Sequence, residues 1–475
     1  MGVLGLFVFS VMSRLLTRTE FGYYAAIMSI VMIFRSLAEA GIGASIVQRK
    51  NTTIEFVNSA YTLSLIVGGV ATLFVIALSG LFSEIIADRT IQIPLILMSL
   101  TLIPYSLNSV YNSILLKELR FLRIGVFQVI AFFFSNALAI MMAALNCGLM
   151  SIVVGNILNI VFQNIIFRYA SKIKPRLSIT RDDVFAILNF GGWLTISRIV
   201  GAVYTQIDKI LMARLLSILE LGNFYRTRGL IEDIVGRIGG IFDTTLFPIL
   251  SGIQDNKNAV QRAYKKSIDI GSTFFSLLFL LFFFNAKLII ICFLGEKWLD
   301  QVTLFRVLSL SMLFYFITRF ADCFIRSLAY VRFGFYVQLL SCCLLVMGIL
   351  FSVRYGSLGI AISVVAVNLI SAIVKAVFIC KKIDVTFVSF FISSLRGMFY
   401  SMPIVIAGTV YVAFFDNSIL NSIVFLVFFC LLTAILFVFF PELIGETYAK
   451  QVYPFVKDLV IIKTKGNKKD ERGHL

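Results

Sequence analysis

The sequence predicts an all-α polytopic membrane protein of about 14 transmembrane helices: two six-helix bundles related as parallel repeats, then two further helices. Three observations carry this prediction. Apolar residues make up 59% of the 475 and charged residues 14%, with 48 phenylalanines; a water-soluble domain needs roughly a quarter of its residues charged. Apolar runs of about 20 residues recur along the whole chain; barrel strands would instead alternate over about ten. Finally, "RLLTRTEFG" at 14–22 returns as "RLLSILELG" at 214–222, with Arg14, Leu15, Leu16, Glu20 and Gly22 matched by Arg214, Leu215, Leu216, Glu220 and Gly222.

The helices follow from where charge interrupts the apolar runs. The first covers 1–13 and stops at Arg14, and the second covers 22–44 before "QRKN". Helices at 59–82 and 93–114 lie between Glu55 and Glu84, and between Arg89 and Lys117. Those at 124–145 and 149–167 begin after Arg123 and end at Arg168. The basic linker "RYASKIKPRLSITRDD" (168–183) precedes helices at 184–208 and 223–250. Four more, at 268–292, 302–325, 333–353 and 357–379, are bounded by Lys266, Lys297, Arg332, Arg354 and Lys381. After "CKKIDVTFVSFF" come 397–415 and 419–440, which have no counterpart in the first half.

Because the repeat spans six helices and a linker, both copies cross the membrane in the same sense. The predicted domains are a six-helix bundle at 1–170, a second at 184–380, two added helices within 397–440 and a basic tail at 441–475. The first copy has 13 residues before Arg14, whereas its counterpart has a full helix before Arg214. Since a span needs about 20 residues, the native chain is expected to begin upstream.

The net charge of +17 follows the loops. Of 42 Lys and Arg residues, 26 fall in the loops of one side and the tail, against eight on the other. That asymmetry predicts both termini in the cytoplasm and a multi-pass location in the cell inner membrane. The tail "KTKGNKKDER" reads as a topology anchor on anionic membrane lipid, not as a nucleic-acid site. The seven cysteines, at 147, 292, 323, 342, 343, 380 and 430, have neither metal spacing nor a paired framework. With His474 the only histidine, no metal site, cofactor or catalytic histidine is expected. No P-loop lysine is present, so transport by this chain would be passive or driven by an ion gradient.

Ionisable groups within a span cost about 2.5–3.5 kcal/mol each and mark function. The spans hold Arg35, Arg198, Arg226, Arg228, Arg237, Arg306, Arg319 and Lys375. Helical spacing offers Arg35–Glu39, Arg228–Glu232 and Asp233–Arg237 as local pairs, and places Arg319, Asp322 and Arg326 along one face. Such pairs neutralise one another and pack between helices as readily as they bind a ligand. Arg226 and Arg326, near helix ends, and Arg306, near an interface, fit snorkelling. Six charges on the helix at 223–250 are too many for a lipid-facing span. A water-filled interior is predicted there. Arginine keeps its charge and grips phosphate bidentately, so Arg35, Arg198, Arg228, Arg237 and Arg319 are the expected anion-binding residues. Glu39, Asp208, Glu232 and Asp322 are candidates for proton or sodium coupling. Asn108, Asn112, Gln128, Asn156, Asn159, Gln163 and Gln206 suit sugar hydroxyls, and equally suit interhelical hydrogen bonding.

"IDKILMARLL…LELGNFYRTRGL" (207–230), "LFPILSGIQDN" (246–256) and "FLGEKWLDQVTLFRVLSL" (293–310) resemble the polysaccharide-transport flippases. These are the Wzx and colanic-acid-exporter-like members of the superfamily that also holds MATE and MurJ transporters. "RLLTRTEFGYYAAI" and "AEAGIGASIVQRKN" (38–51) are similar to that family's first loop and second helix, and the likeness runs to about residue 385. The resemblance implies a flippase carrying a polyprenyl-diphosphate-linked oligosaccharide (O-antigen, capsule or exopolysaccharide units) outward by alternating access. It also allows partnership with polysaccharide-assembly proteins. It transfers an arrangement, intramembrane arginines and acids lining an interior, without a catalytic residue. The alternative is a MATE-type multidrug or cation antiporter, which wants an acidic, aromatic pocket. A membrane enzyme would need a large extramembrane lobe with metal-binding carboxylates, and no loop before the tail offers one.

Overall fold

In the computed structural model, residues 2–39, 41–49, 52–86, 88–173, 175–328 and 330–400 are described, with a few positions between 402 and 429. They form helices α1 (Gly2–Leu15), α2 (Arg18–Glu39), α3 (Ile42–Gln48), α4 (Ile54–Ala77), α5 (Ser79–Ile86) and α6 (Gln92–Ser99). These are followed by α7 (Leu102–Lys117), α8 (Phe121–Ala144), α9 (Leu149–Ser171), α10 (Arg181–Leu215), α11 (Ile218–Gly252) and α12 (Lys257–Phe284). The remainder are α13 (Ala286–Phe293), α14 (Val302–Ser309), α15 (Met312–Ser327), α16 (Val331–Ser352), α17 (Gly356–Lys382) and α18 (Phe387–Tyr400). No strand occurs among the described residues. Each of the first twelve predicted spans coincides with one of these helices or with a broken pair. The predicted helices at 397–415 and 419–440 and the basic tail lie for the most part outside the described residues.

Seven described helical segments are long and apolar enough to cross a bilayer, or eight if the pair bent by 43° around α14 and α15 is one span. α10 and α11, each of 35 residues, are longer still, but they carry ionisable groups along their length. The apolar surplus faces outward: Phe133, Phe134, Leu138 and Met141 of α8 are all exposed, as a lipid-facing surface requires. α17 doubles back on α16, because Phe333 and Phe378 stack with ring centroids 3.6 Å apart; a continuous helix would separate them by about 67 Å.

The matched turns explain why the sequence repeats itself. α1 and α10 end at Leu15 and Leu215, and α2 and α11 begin at Arg18 and Ile218. Thr17 caps α2 by accepting from the Glu20 amide at 3.3 Å, and the Glu20 carboxylate accepts from the Thr17 amide at 2.7 Å. Ser217 caps α11 in the same way, accepting from the Glu220 amide at 3.1 Å. The two turns also meet. A Cβ on Gly22 would overlap the Ile218 carbonyl, and one on Gly222 would overlap the Arg18 carbonyl. Equivalent glycines thus face equivalent carbonyls across a local two-fold, and only a residue without Cβ lets the backbones approach so closely.

The described chain forms two compact units. The first holds Met1–Gly229, Phe293–Gly295 and Gln338–Ile360; the second holds Leu230–Cys292, Glu296–Val337 and Ala361 onward. In the first, α8 and α9 form a hairpin, α7 packs against α4 and α9, and α10 lies along α2. The linker before α10 is fastened to α4. Asn58 accepts from the Arg176 amide at 2.9 Å, Thr62 accepts from the Ser178 amide at 3.1 Å, and Ser59 donates to Asp183 at 3.1 Å. At the far end of α4 and α5, the Tyr23 hydroxyl donates to Asp88 at 2.7 Å. Burial pushes the Asp88 carboxyl up, but hydrogen bonds from Thr90 and Tyr23 outweigh it and hold the group below the usual carboxylate range. In the second unit, α12 packs against α15 and α18, with Tyr264 edge-on to Phe324 at 4.9 Å.

Candidate functional site

Two polar stripes run through the first unit. On α7, Tyr105, Asn108 and Asn112 recur at i, i+3 and i+7; on α9, Asn156, Asn159 and Gln163 repeat that spacing, which aligns each set on one helix face. The packing of α7 on α9 turns the stripes toward each other. α2, α3, α8 and α10 complete the walls of a cavity of about 690 Å³, within the range of ligand sites. Arg35, Glu39, Gln128 and Arg198 also line it.

At one end the charges converge. Arg35 is 7% exposed, and its Nη2 donates to Asn156 Oδ1 at 3.0 Å and to Thr101 Oγ1 at 3.5 Å. Its guanidinium lies 5.0 Å from the Tyr105 ring centroid, while its buried Nε has no protein acceptor. Glu39 accepts from the Tyr105 hydroxyl at 2.8 Å and pairs through its other oxygen with Arg198. The local Arg35–Glu39 pair expected from sequence is therefore not formed. Glu39 is drawn to α10 and α7, and Arg35 turns to α9. Along the stripes, Gln163 donates to Asn159 at 2.5 Å and Asn159 to Ser135 at 3.1 Å. Asn108 Nδ2 donates to the Ile160 carbonyl at 3.3 Å, while the buried Oδ1 atoms of Asn108 and Asn112 have no protein donor. The cavity is thus lined by two guanidiniums, one carboxylate and two rows of amides.

The other predicted site residues lie elsewhere. Asp208, 1% exposed in its side chain, pairs with Arg228 and accepts from the Lys209 amide at 2.9 Å. Neither Asp208 nor Arg228 lines the cavity. Glu232 and Arg237 are exposed on the part of α11 that belongs to the second unit. Arg319 stands 5.8 Å from the Tyr315 ring centroid. The Asp322 carboxylate pairs with Lys375 at 2.7 Å, so the expected ladder along α15 gives way to a bridge to α17. Gln206 donates to Thr205 and accepts from Lys209, away from the cavity.

Two arginines depart from the snorkelling expectation. Arg226 is 8% exposed. Its Nε donates to Ser13 Oγ at 2.7 Å, its Nη2 donates to the Phe9 carbonyl, and its guanidinium lies over the rings of Phe9 and Phe21. Those contacts replace the water that snorkelling would have supplied. Arg306 donates instead to the Phe283 carbonyl at 3.2 Å. Sequence reasoning missed Tyr105, although it stands three residues before Asn108 on the same stripe.

The Asp208–Arg228 pair gives a stability prediction. Asp208→Ala removes the buried carboxylate that pairs with Arg228 and is expected to destabilise the chain by about 1.5–3 kcal/mol. Adding Arg228→Met is expected to recover most of that loss in thermal unfolding of the purified protein. An additive double variant would count against the pairing.

Comparison with known proteins matches the chain to the polysaccharide biosynthesis protein family over residues 11–303. The lipopolysaccharide biosynthesis protein WzxC of Escherichia coli (strain K12) is 22% identical over 410 residues, covering 85% of this chain and 83% of that one. An uncharacterised membrane protein in the cps region of Klebsiella pneumoniae is 25% identical over 65% of this chain and 64% of its own length. Among solved structures, the lipid II flippase MurJ in an inward closed conformation aligns over 92% of this chain and 96% of its own, with TM-score 0.72 and 14% identity. An inward-facing MATE multidrug transporter aligns over 80% and 94%, with TM-score 0.64 and 14% identity. The fold is that of MurJ and MATE transporters, and the chain belongs to the polysaccharide biosynthesis protein family.

Proposed function

We propose that this protein is a flippase that moves a polyprenyl-diphosphate-linked oligosaccharide across the cell inner membrane by alternating access, without catalysing a chemical step. The observation that carries the reading is the cavity of α2, α7, α9 and α10, where Arg35 and Arg198 stand beside two amide stripes, on one of which Asn108 and Asn112 keep buried Oδ1 atoms without a protein donor. A diphosphate satisfies guanidinium donors, and sugar hydroxyls satisfy amides as donor and acceptor at once. The names of relatives fit: TuaB of Bacillus subtilis (strain 168) is a teichuronic acid biosynthesis protein, and ExoT of Rhizobium meliloti (strain 1021) a succinoglycan biosynthesis transport protein. An organic cation, the cargo of a MATE antiporter, would meet a basic excess here.

In this reading the six-helix halves at 1–170 and 184–380 alternate access, the basic loops and both termini face the cytoplasm, and assembly proteins supply and receive the cargo. The reading also assigns contact with the anionic cargo to Arg228, Arg237 and Arg319, and coupling of a proton or sodium ion to Glu39, Asp208, Glu232 or Asp322. The test is in cells of the source organism. Depleting the protein is expected to accumulate lipid-linked oligosaccharide on the cytoplasmic leaflet and to remove surface polysaccharide, both restored by the wild-type chain. Unchanged surface polysaccharide after complete depletion would contradict the reading.

A further inference from the structure

The carboxylate of Glu39 occupies a place in the cavity that an anionic ligand would take. Its two oxygens are spent on Arg198 of α10 and on the Tyr105 hydroxyl of α7. Arg35 lies one turn away on the same helix, yet makes no bond to it and keeps a buried Nε without an acceptor. One guanidinium is therefore matched by an internal anion, and the other, which lines the same cavity, is held by the neutral groups of Asn156 and Thr101. Among the described residues lining the cavity, the other charged or titratable groups are Arg35, Arg198 and Tyr105; α9 contributes the neutral amides Asn156, Asn159 and Gln163, α3 contributes Gln48, and the Tyr24 hydroxyl stands behind Asn156, accepting from it at 3.0 Å.

We infer that Glu39 is an internal competitor for the substrate's diphosphate at Arg198, and that diphosphate binding is linked to uptake of one proton by Glu39. This rests on the reading of the cavity given above. A diphosphate that bridges Arg35 and Arg198, gripping the Arg198 fork through Nη1 and Nη2, takes the Nη1 donor that Glu39 holds and so lifts the carboxylate off Arg198. A displaced carboxylate beside a bound anion is held there only as the neutral acid, since two like charges in one site disfavour ionisation. Protonated Glu39 still accepts from Tyr105 through its carbonyl oxygen, so the Tyr105 bond survives. The atoms balance: one proton is taken from water, one ion pair is broken and another forms. The linkage has a direction, because a ligand that takes up a proton binds more tightly as pH falls, by up to about tenfold per pH unit. A plain cationic site gives the opposite trend with a diphosphate monoester, whose terminal phosphate loses charge on acidification below about pH 6.

The experiment titrates farnesyl diphosphate into the purified full-length chain in nanodiscs, calorimetrically, between pH 5.5 and pH 8 and in buffers of different ionisation heat. The wild type is expected to take up about one proton per ligand and to tighten as pH falls. Glu39→Gln is expected to bind at least about tenfold more tightly at pH 8, with no proton uptake and the plain-site trend. Arg198→Gln is expected to bind weakly and without proton uptake, while keeping the wild-type circular dichroism. Binding by the wild type without proton uptake, unchanged in Glu39→Gln, overturns the competition and leaves the cavity reading standing. Sodium-dependent affinity with no proton uptake also overturns it. No binding by wild type or variant overturns both the competition and the cavity reading.

Discussion

Arg35→Ala is expected to reduce transport by about ten- to a hundredfold, since hydrogen bonds to charged groups are worth about 1.5–3 kcal/mol, while leaving the fold largely intact. The two halves of that expectation have separate causes. Arg35 lines the cavity and its hydrogen bonds go to the neutral groups of Asn156 and Thr101, so its loss removes a cation that no internal carboxylate neutralises among the described residues. Inside the protein it holds Asn156 and Thr101 through neutral bonds and rests against Tyr105. No carboxylate is left stranded when it goes, which is what makes removing a buried charge costly elsewhere. Arg35→Lys is expected to recover little, because an ammonium lacks the planar fork that grips a diphosphate at two oxygens. Initial flipping rates compared at equal protein incorporation, with circular dichroism as the folding control, check both statements. A variant with wild-type rates would remove Arg35 from the site.

Gly222→Val is expected to have the largest effect on folding of any single change at the matched turns. Its Cβ would lie inside the Arg18 carbonyl, which is helix backbone and cannot swing aside. The crossing must open, and overpacking of this kind costs about 1–3 kcal/mol or more. Gly22→Val is expected to behave alike, because the Ile218 carbonyl stands in the equivalent place. Gly236 is the control on the same helix: nothing lies within 4 Å of its added Cβ. Gly236→Ala is therefore expected to be neutral or to stabilise by about 0.5–1 kcal/mol through backbone entropy alone. Thermal unfolding in detergent separates the cases. Equal melting temperatures for Gly222→Val and the wild type would contradict the crossing.

The architecture was legible because hydropathy and charge act locally. Apolar runs closed by Arg14, Lys117 or Arg168 had to be helices, and the structure has helices there. The repeated "RLL" was legible as a period, and its cause, two glycines at one crossing, lay within the quoted residues. Partner choice was not legible. Glu39 and Arg198 are 159 positions apart, so helical spacing steered Glu39 toward Arg35, the nearer cation along the chain. Asp322 was assigned to its own helix for the same reason and pairs instead with Lys375. Local spacing lists the pairs a helix permits, whereas desolvation and packing decide which of them form. Arg226 shows what a helix-end position does not reveal: aromatic faces, a hydroxyl and a carbonyl draw its guanidinium into the packing instead of out to the interface.

The most direct test of the account uses proteoliposomes holding the purified chain and a fluorescent polyprenyl-diphosphate oligosaccharide, with a membrane-impermeant quencher reporting the lipid on the far leaflet. The expected result is protein-dependent movement that a proton or sodium gradient accelerates and that Arg35→Ala slows by about ten- to a hundredfold. No lipid movement, together with gradient-driven uptake of organic cations by the same vesicles, would contradict it.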